Sequence, residues 1–271
     1  MSDKLQNRTI EDFGDQWSRY QDNSGFYASD ELFADMLEPL LSPESLQDKK
    51  VADIGSGSGR IVQMILATGA EKVYALEPSI DAFKTLKRNT ASVQKRIEYL
   101  NVPGNKLPQN LDLDYVLSIG VIHHIPQPEE TIRACLGALK PGGQCLIWLY
   151  GKEGNEIYLK FIEPLRKLTV KLPHVVLSAI SHVMNVLLGA YIFLCRWMPL
   201  PMRDYMREVI AKMSWAKRYL VIYDQLNPAY AKYYTQQEAY GLLADIGFED
   251  VKTHHRHGYS WTVMGTRPRN I

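Results

Sequence analysis

The feature that most constrains this chain is a glycine-rich turn between an apolar run and a helical pattern. The segment reads Val51-Ala-Asp-Ile-Gly-Ser-Gly-Ser-Gly-Arg60. Val51–Ile54 is predicted to form a strand, and apolar residues at positions 61, 62, 65 and 66 predict a helix over Ile61–Ala67. Because residues without a Cβ let a ligand lie against the backbone, such a turn is typical of ligand-binding α/β sheets. We therefore expect a parallel sheet that binds a ligand at this turn.

Short apolar runs alternate with helical patterns from residue 50 to residue 150, as βαβ units require. The later strands are predicted at Lys72–Leu76, Ile97–Asn101, Tyr115–Ile119, Cys145–Tyr150, Asp250–Arg256 and Ser260–Thr266. Further helices are predicted over Ser79–Ser92, from Pro128 to the turn Lys140-Pro-Gly-Gly143, and after a capping box formed by Thr235 and Glu238. Seven strands with alternating helices predict one layered α/β domain.

Composition excludes several classes of protein. Hydrophobic residues make up 46% and charged residues 23%, as in folded soluble proteins. The three cysteines are widely spaced, so neither a disulfide framework nor a zinc site is expected, and a reducing cytoplasm fits best. His254, His255 and His257 lie close together, but neighbouring strand residues point to opposite faces, so no metal site is expected. The polar start of the chain is unlike a secretory signal peptide.

The residues around the glycines indicate which ligand the turn binds. A dinucleotide fingerprint reads GxGxxG and needs a glycine at position 60, where this chain has Arg60. The pattern is instead DxGxGxG, and the acid, Asp53, would repel a pyrophosphate but suits a ligand with an ammonium group. Glu77 follows the second predicted strand, where a carboxylate can accept both hydroxyls of a ribose. These residues favour an adenosine ligand that carries an ammonium group.

At these residues the chain resembles the class I S-adenosylmethionine-dependent methyltransferases. The resemblance extends through residues 113–125 and 139–147 and the closing antiparallel strands. It implies a Rossmann-like sheet of strand order 3-2-1-4-5-7-6, with the last strand antiparallel. It also implies that the glycines contact the methionine part of the cofactor, that Glu77 binds the ribose, and that residues 118–121 pass beneath the sulfonium. The expected cofactor-binding residues are Asp53, Gly55, Ser56, Gly57, Gly59, Glu77, Pro78, Asn105, Ser118, Ile119, Gly120 and Val121.

One of these assignments departs from the family pattern. Members often carry an acid after the third strand that bonds the adenine amine, and here the segment Asn101-Val-Pro-Gly-Asn-Lys-Leu-Pro108 has none. Asn105 is the candidate substitute, because its side-chain oxygen can accept the same bond.

Three residues are candidates for the base that removes a proton from the methyl acceptor. His123 and His124 follow the fourth strand, and an imidazole with a near-neutral pKa can take a proton. The alternative is that this His-His pair only shapes the pocket. Asp224 is the third candidate, in a segment that resembles an element before the last helix of relatives acting on small molecules. Trp17 and Tyr20 are expected to be core aromatic residues, with a fold over the cofactor as the alternative.

The predicted domain is interrupted by a helical insertion at residues 156–223, between its parts at 50–155 and 224–271, and residues 1–49 are expected to form an N-terminal helical cap. Residues 157–223 hold ten basic and three acidic side chains, a net charge of +7 that leaves −6 for the rest of the chain. Such asymmetry indicates an anionic partner at the insertion.

Within the insertion, residues 172–195 contain no Asp, Glu, Lys or Arg. Small and polar residues recur there at helical spacing from Ser178 to Gly189 and form a narrow stripe. Since the strands on both sides must join one sheet, a single membrane crossing is excluded. The pattern fits a helix in a membrane interface or beside an apolar pocket. The alternative is a buried cap or a dimer helix.

Together these features predict methyl transfer from S-adenosylmethionine to a small or lipophilic acceptor, including a lipid-linked one, with S-adenosylhomocysteine as product. The expected location is the cytoplasm, with a peripheral place on the inner membrane face, and the candidate partners are an anionic membrane and a second copy of the chain. With a net charge near +1, nucleic acid is not expected. Two alternatives are a nicotinamide-dependent oxidoreductase and a non-catalytic cofactor-binding or membrane-scaffold protein.

Overall fold

A seven-stranded sheet forms the centre of the protein, in a computed structural model that describes residues 2–269. The strands are β1 (Lys50–Ile54), β2 (Lys72–Leu76), β3 (Ile97–Leu100), β4 (Leu113–Ile119), β5 (Leu139–Tyr150), β6 (Glu249–Arg256) and β7 (Ser260–Thr266). Their order in the sheet is β3-β2-β1-β4-β5-β7-β6, and β7 runs antiparallel to both of its neighbours. The predicted Rossmann-like α/β fold class is therefore confirmed.

Ten α-helices surround this sheet in the described part of the chain. They are α1 (Ser2–Arg19), α2 (Asp30–Leu37), α3 (Arg60–Ala67), α4 (Ile80–Asn89), α5 (Pro128–Ala138), α6 (Glu156–Thr169), α7 (His174–Leu194), α8 (Arg203–Glu208), α9 (Trp215–Leu226) and α10 (Gln236–Ala244). Short 3₁₀ turns join several of them. The capping box predicted at Thr235 and Glu238 starts α10, with both of its hydrogen bonds present.

The strand order places the ligand site. The chain runs from β1 outward to β3 on one side and from β4 to β5 on the other, so the connections after β1 and β4 diverge. Such a switch point leaves a crevice above the carboxyl ends of the central strands. These strands are buried on both faces; Leu117 and Ile147 have no exposed surface. Each such side chain contributes about 1.5–3 kcal/mol of burial free energy and keeps the floor of the crevice rigid.

The structure corrects three predicted boundaries. The helix predicted to reach residue 92 ends at Asn89, and a 3₁₀ segment follows it. The turn predicted at residues 140–143 lies inside β5, where the register with β4 shifts between Leu139 and Gln144. At the end of the insertion, α9 continues to Leu226, because its apolar face keeps its period across residue 223.

The four helices of the insertion stand beside the carboxyl edge of the sheet. Leu159 of α6, Leu177 of α7 and Ile222 of α9 share an apolar cluster with Tyr150, the last residue of β5. The insertion is therefore attached to the sheet where the crevice opens. The division of the chain into a cap, a domain and an insertion stays a prediction.

Candidate active site

A cavity of about 700 Å³ lies above the carboxyl ends of β1, β2, β4 and β5. Its walls come from α1, the turns after these strands, and the helices of the insertion. Pockets of roughly 300–1,000 Å³ enclose most of the surface of a drug-sized ligand. The glycine-rich turn therefore opens into a cavity large enough for such a ligand.

The glycines of the turn differ in their surroundings. Gly55 and Gly57 line the cavity with φ angles of +73° and +51°, a region that favours glycine. A Cβ on Gly57 would lie 3.1 Å from Nε1 of Trp17, so this indole covers the turn. Gly59 is not among the residues that line the cavity. A Cβ there would meet Leu86 and the methyl group of Thr90, so Gly59 allows α3 and α4 to pack closely instead of meeting a ligand.

Two buried carboxyl groups lie beneath the turn. The Oε2 atom of Glu77 accepts the N–H of Gly57 at 2.8 Å, and Oε1 accepts the N–H of Ser79 at 2.9 Å. The pKa of Glu77 is raised to about 7, mainly by burial and to a smaller extent by the charge of Asp53, while the two hydrogen bonds lower it. Burial also raises the pKa of Asp53 to about 7. Asp53 is almost fully buried and is not among the residues that line the cavity, and its Oδ2 atom has no partner among the described residues.

Five other predicted cofactor residues line the cavity. They are Ser56 in the turn after β1, Pro78 after β2, Ile119 at the end of β4, and Gly120 and Val121 after it. Ser118 in β4 is fully buried and is not among the residues that line the cavity.

Asn105 lies beside two residues that line the cavity, Pro103 and Gly104. Its amide nitrogen donates to the Glu130 carboxylate at 3.0 Å, which leaves its oxygen buried without a partner. An unpartnered acceptor at this position fits the adenine contact predicted for Asn105.

The two adjacent histidines have different environments. His123 is fully buried, stacks on Tyr150 and has no hydrogen-bond partner at either ring nitrogen, and burial holds its pKa well below the ordinary value. His124 lines the cavity, and its Nδ1 lies 2.8 Å from the carbonyl oxygen of Tyr230. Since a carbonyl only accepts, we assign the proton to Nδ1, which leaves Nε2 with a free lone pair. Burial lowers the pKa of His124 to about 4, so it is neutral at pH 7. Of the two, His124 has the geometry of a base.

Asp224 anchors a network of polar side chains in the cavity wall. Its Oδ1 accepts from Nε2 of Gln16 at 2.9 Å and its Oδ2 accepts from the hydroxyl of Tyr150 at 3.1 Å. The same Tyr150 hydroxyl accepts a hydrogen bond from Nε2 of Gln225. The Oε1 atom of Gln225 in turn accepts one from the hydroxyl of Tyr233. The negative charge of Asp224 raises the pKa of His124 against the effect of burial, so the two candidate bases act on each other.

Two aromatic residues of α1 pack against the hydrophobic core, as expected. Trp17 also lines the cavity, whereas Tyr20 packs on Tyr219 and Tyr223. Other residues of this site were not found by the sequence analysis. Tyr150 could have been found, since it ends a strand at the edge where ligands bind.

Asn155 and Arg256 gave no signal in the sequence. Asn155 lines the cavity with a buried, unpartnered Oδ1, and Arg256 lies there bonded to Asp35 and Tyr259. Both are brought to the site by contacts between residues far apart in the chain.

Two of the three histidines near the end of the chain contact other side chains. His255 stacks on Trp261, and Nε2 of His257 lies 2.7 Å from a carboxylate oxygen of Asp35. Among residues 2–269, no three His, Cys, Asp or Glu side chains converge to hold a metal ion. The neighbouring Tyr259 does line the cavity.

The far end of the cavity is apolar and adaptable. Five of the nine methionines in the chain line it: Met36, Met184, Met202, Met206 and Met213. Flexible thioether side chains fill irregular spaces and adjust to ligands of varied shape. The cavity therefore has a polar end at the glycine turn and a lipophilic end under the insertion.

Comparison with known proteins finds similarity over the first part of the sheet domain. Residues 52–147 match the family model described as a methyltransferase domain. The tRNA U34 carboxymethyltransferase of Idiomarina loihiensis is 29% identical over 117 residues, which are 42% of this chain and 36% of that protein. The ubiquinone biosynthesis O-methyltransferase of Bordetella avium is 30% identical over 101 residues, 36% of this chain and 42% of that protein.

One solved structure resembles nearly the whole chain in fold. The 1,6-didemethyltoxoflavin-N1-methyltransferase of Burkholderia thailandensis, with bound 1,6-didemethyltoxoflavin and S-adenosylhomocysteine, matches 99% of this chain and 91% of its own with a TM-score of 0.56 at 13% identity. The chain spans about two-fifths of the length of the curated relatives it matches.

Proposed function

We propose that this chain, a class I S-adenosylmethionine-dependent methyltransferase by its matched domain and its fold, methylates a small lipophilic acceptor through a polar nucleophile. One observation carries the proposal. One continuous cavity is lined both by the glycine turn and by five methionines, and His124 and Asp224 lie in its wall. An acceptor with an apolar body and one polar group fits that distribution of side chains.

The residues at the polar end fit the cofactor. Glu77 would hold the ribose hydroxyls, the backbone of Gly55 and Gly57 would lie along the methionine part, and the free oxygen of Asn105 would take the adenine amine. When bound, the cofactor supplies a methyl group on a positively charged sulfur. The chain supplies alignment and a chamber that excludes water.

At the acceptor, we assign proton removal to His124. Its neutral ring keeps a free Nε2 lone pair because Nδ1 is fixed on the Tyr230 carbonyl. The Asp224 charge stabilises the protonated ring, since it raises the pKa of His124. Gln16 and Tyr150 hold that carboxylate in place. Removal of a proton by such a positioned group accelerates reactions about 10²–10⁴-fold.

The curated relatives point to a second acceptor class, because one is named for tRNA and another for ubiquinone biosynthesis. Each shares less than half of this chain. We favour the lipophilic acceptor because the residues that the insertion contributes to the cavity wall are apolar or aromatic, with methionines prominent among them.

A label-partition experiment tests this choice. Purified protein is incubated with methyl-tritiated S-adenosylmethionine and either the chloroform-soluble extract or the total tRNA of a bacterial cell. If the acceptor is lipophilic, wild type should transfer label into the organic phase. Met206→Asp, which places a charge in the cavity wall, should transfer none. This variant must still bind S-adenosylhomocysteine for the comparison to be valid. Label in tRNA and none in the organic phase would assign the other acceptor class.

A further inference from the structure

Helix α7 is oriented with its apolar side toward solvent. Ten of its residues are exposed, and nine of them are apolar: Val175, Val176, Ala179, Val183, Val186, Leu187, Ala190, Phe193 and Leu194. The tenth is His182. The exposed fraction reaches 77% at Val175 and 64% at Leu187. We call these nine residues the outer face of α7. An apolar strip of this length on a solvent-facing helix marks an interaction surface.

Hydrogen bonds fix this orientation from the inside. Ser181 and Asn185 are fully buried on the opposite side of α7. The amide nitrogen of Asn185 donates to the carbonyl of Trp215 at 2.9 Å, and the hydroxyl of Tyr219 donates to that of Ser178 at 2.9 Å. Turning the helix over would break these bonds and bury His182. The packing of α7 on the rest of the protein therefore fixes its apolar outer face toward solvent.

Basic residues border the outer face. On α6, Ile157, Phe161 and Leu168 form an exposed apolar stripe. Exposed Lys160 and Lys167 of α6 and exposed Lys171, in the turn before α7, form a lysine row beside it, with exposed Glu163 between the first two.

At the other end of α7, exposed Arg196 precedes Trp197, which is 78% exposed. Within the described residues, none of these four cations forms a salt bridge. Lysine and arginine with tryptophan beside an apolar strip suit the region where lipid headgroups meet acyl chains.

The topology of the sheet excludes a single crossing of a membrane by α7. By length and composition, α7 could cross a bilayer, and no other helix within residues 2–269 meets that criterion. However, β5 before the insertion pairs with β7 after it, so both ends of the insertion return to the same sheet. The inner side of α7 is also occupied, since Met184, Leu188 and Tyr191 line the cavity. These constraints leave only the outer face for contact with lipid.

We propose that the outer face of α7, with the lysine row of α6 and with Arg196 and Trp197, docks on an anionic bilayer with the helix parallel to the surface. A second copy of the chain is a poorer partner for the outer face of α7. In a two-fold symmetric contact between outer faces, the basic ends of the two helices would face each other, whereas anionic headgroups neutralise them. Docking places the methionine-lined end of the cavity beside the bilayer. The proposal does not depend on the identity of the methyl acceptor.

Vesicle sedimentation tests the proposal with the full chain. Wild type is mixed with vesicles of phosphatidylcholine alone or with phosphatidylglycerol added, in 0.1 M and 1 M salt. Docking predicts binding to the anionic vesicles that decreases at 1 M salt, where the Debye length falls from about 10 Å to about 3 Å. Leu187→Asp should lower the partition coefficient about tenfold or more, because the charge cannot enter the acyl region. Lys167→Gln with Lys171→Gln should weaken binding at low salt only.

A matched control separates docking from general effects of a surface charge. Ile80 on α4 is 63% exposed, like Leu187, but lies in the first turn of a helix of the sheet domain. Ile80→Asp should bind vesicles as wild type does, and equal thermal melting of both Asp variants would show that each is folded. No binding of wild type to anionic vesicles at low salt would overturn the proposal. So would a wild-type dimer, seen by light scattering, that Leu187→Asp turns into a monomer without vesicle binding.

Discussion

The protonation of Glu77 is expected to control how tightly the cofactor binds. Burial raises the pKa of Glu77 to about 7. An ionised carboxylate only accepts hydrogen bonds, whereas its protonated form must donate one and accepts fewer. Two ribose hydroxyls and two backbone N–H groups need the ionised form. Binding should therefore release a proton and become tighter as the pH rises through 7.

The size of the effect follows from that pKa. The Glu77 carboxyl is ionised in roughly a tenth of the molecules at pH 6 and in roughly nine-tenths at pH 8. If only the ionised form binds, the dissociation constant of S-adenosylhomocysteine should fall about tenfold between these pH values, and further if Asp53 must also ionise. The histidines near the cavity do not contribute, because burial keeps the pKa values of His123 and His124 below this range.

Calorimetric titration at pH 6, 7 and 8 in two buffers of different ionisation enthalpy measures both the affinity and the released proton. Glu77→Gln keeps the size of the side chain but cannot ionise. It should bind about 1.5–3 kcal/mol more weakly at pH 8, the scale of a hydrogen bond to a charged group. Its remaining pH dependence reports Asp53 and the amino group of the ligand. The assignment to Glu77 would be refuted if the affinity of wild type and of Glu77→Gln changed equally with pH and both released the same number of protons.

Four further substitutions and one pH profile test the site. Gly57→Val should abolish S-adenosylhomocysteine binding, because a branched side chain at a φ of +51° would press on Trp17; retained affinity in calorimetry would place the site elsewhere. Trp17→Ala should weaken that affinity about two- to tenfold, the scale of an aromatic contact of about 0.5–1.5 kcal/mol, and no change would mean that α1 does not cover the cofactor. His124→Asn should lower the rate of methyl transfer about 10²–10⁴-fold at unchanged cofactor affinity, whereas His123→Phe should alter it only a few-fold; the reverse order would exchange their roles. At saturating cofactor, the wild-type rate should stay level down to about pH 5, since the pKa of His124 is about 4 and only its neutral form accepts a proton; a midpoint near 6.5 would contradict this assignment.

Local patterns predicted the features that depend on neighbouring residues. The bounds of β2 and β7 agree with the prediction, because short apolar runs between turn residues leave little freedom. The turn at Gly55 and Gly57 lines the cavity because a strand followed by a helix forces a tight connection there. Such features need only a few consecutive residues to be defined.

Contacts between distant residues could not be predicted in this way. Gln16 and Asp224 are bonded although 208 positions separate them, and Trp17 covers a turn 40 residues further along the chain. The docking of α1 depends on the shape of the whole crevice, which no single segment defines. Gly59 shows the reverse case, since a motif assigned it to the ligand and the packing of α3 on α4 accounts for it instead.

Helix α7 shows why composition alone left its role open. A run of uncharged residues reveals an apolar cylinder with a polar stripe, but either side can face the protein. The partners of Ser178 and Asn185 decide the orientation, and they lie on or next to α9, some 30 to 40 residues later in the sequence.

A crystal structure with S-adenosylhomocysteine tests the central claim most directly. The account predicts the ribose hydroxyls on the Glu77 carboxylate, the amino-acid part along Gly55 and Gly57, and the sulfur atom facing the side of the cavity where His124 and Asp224 lie. The methionine-lined chamber should then stay open to an acceptor on that side. A ligand bound away from Glu77, or one whose sulfur atom faces away from His124, would contradict the account.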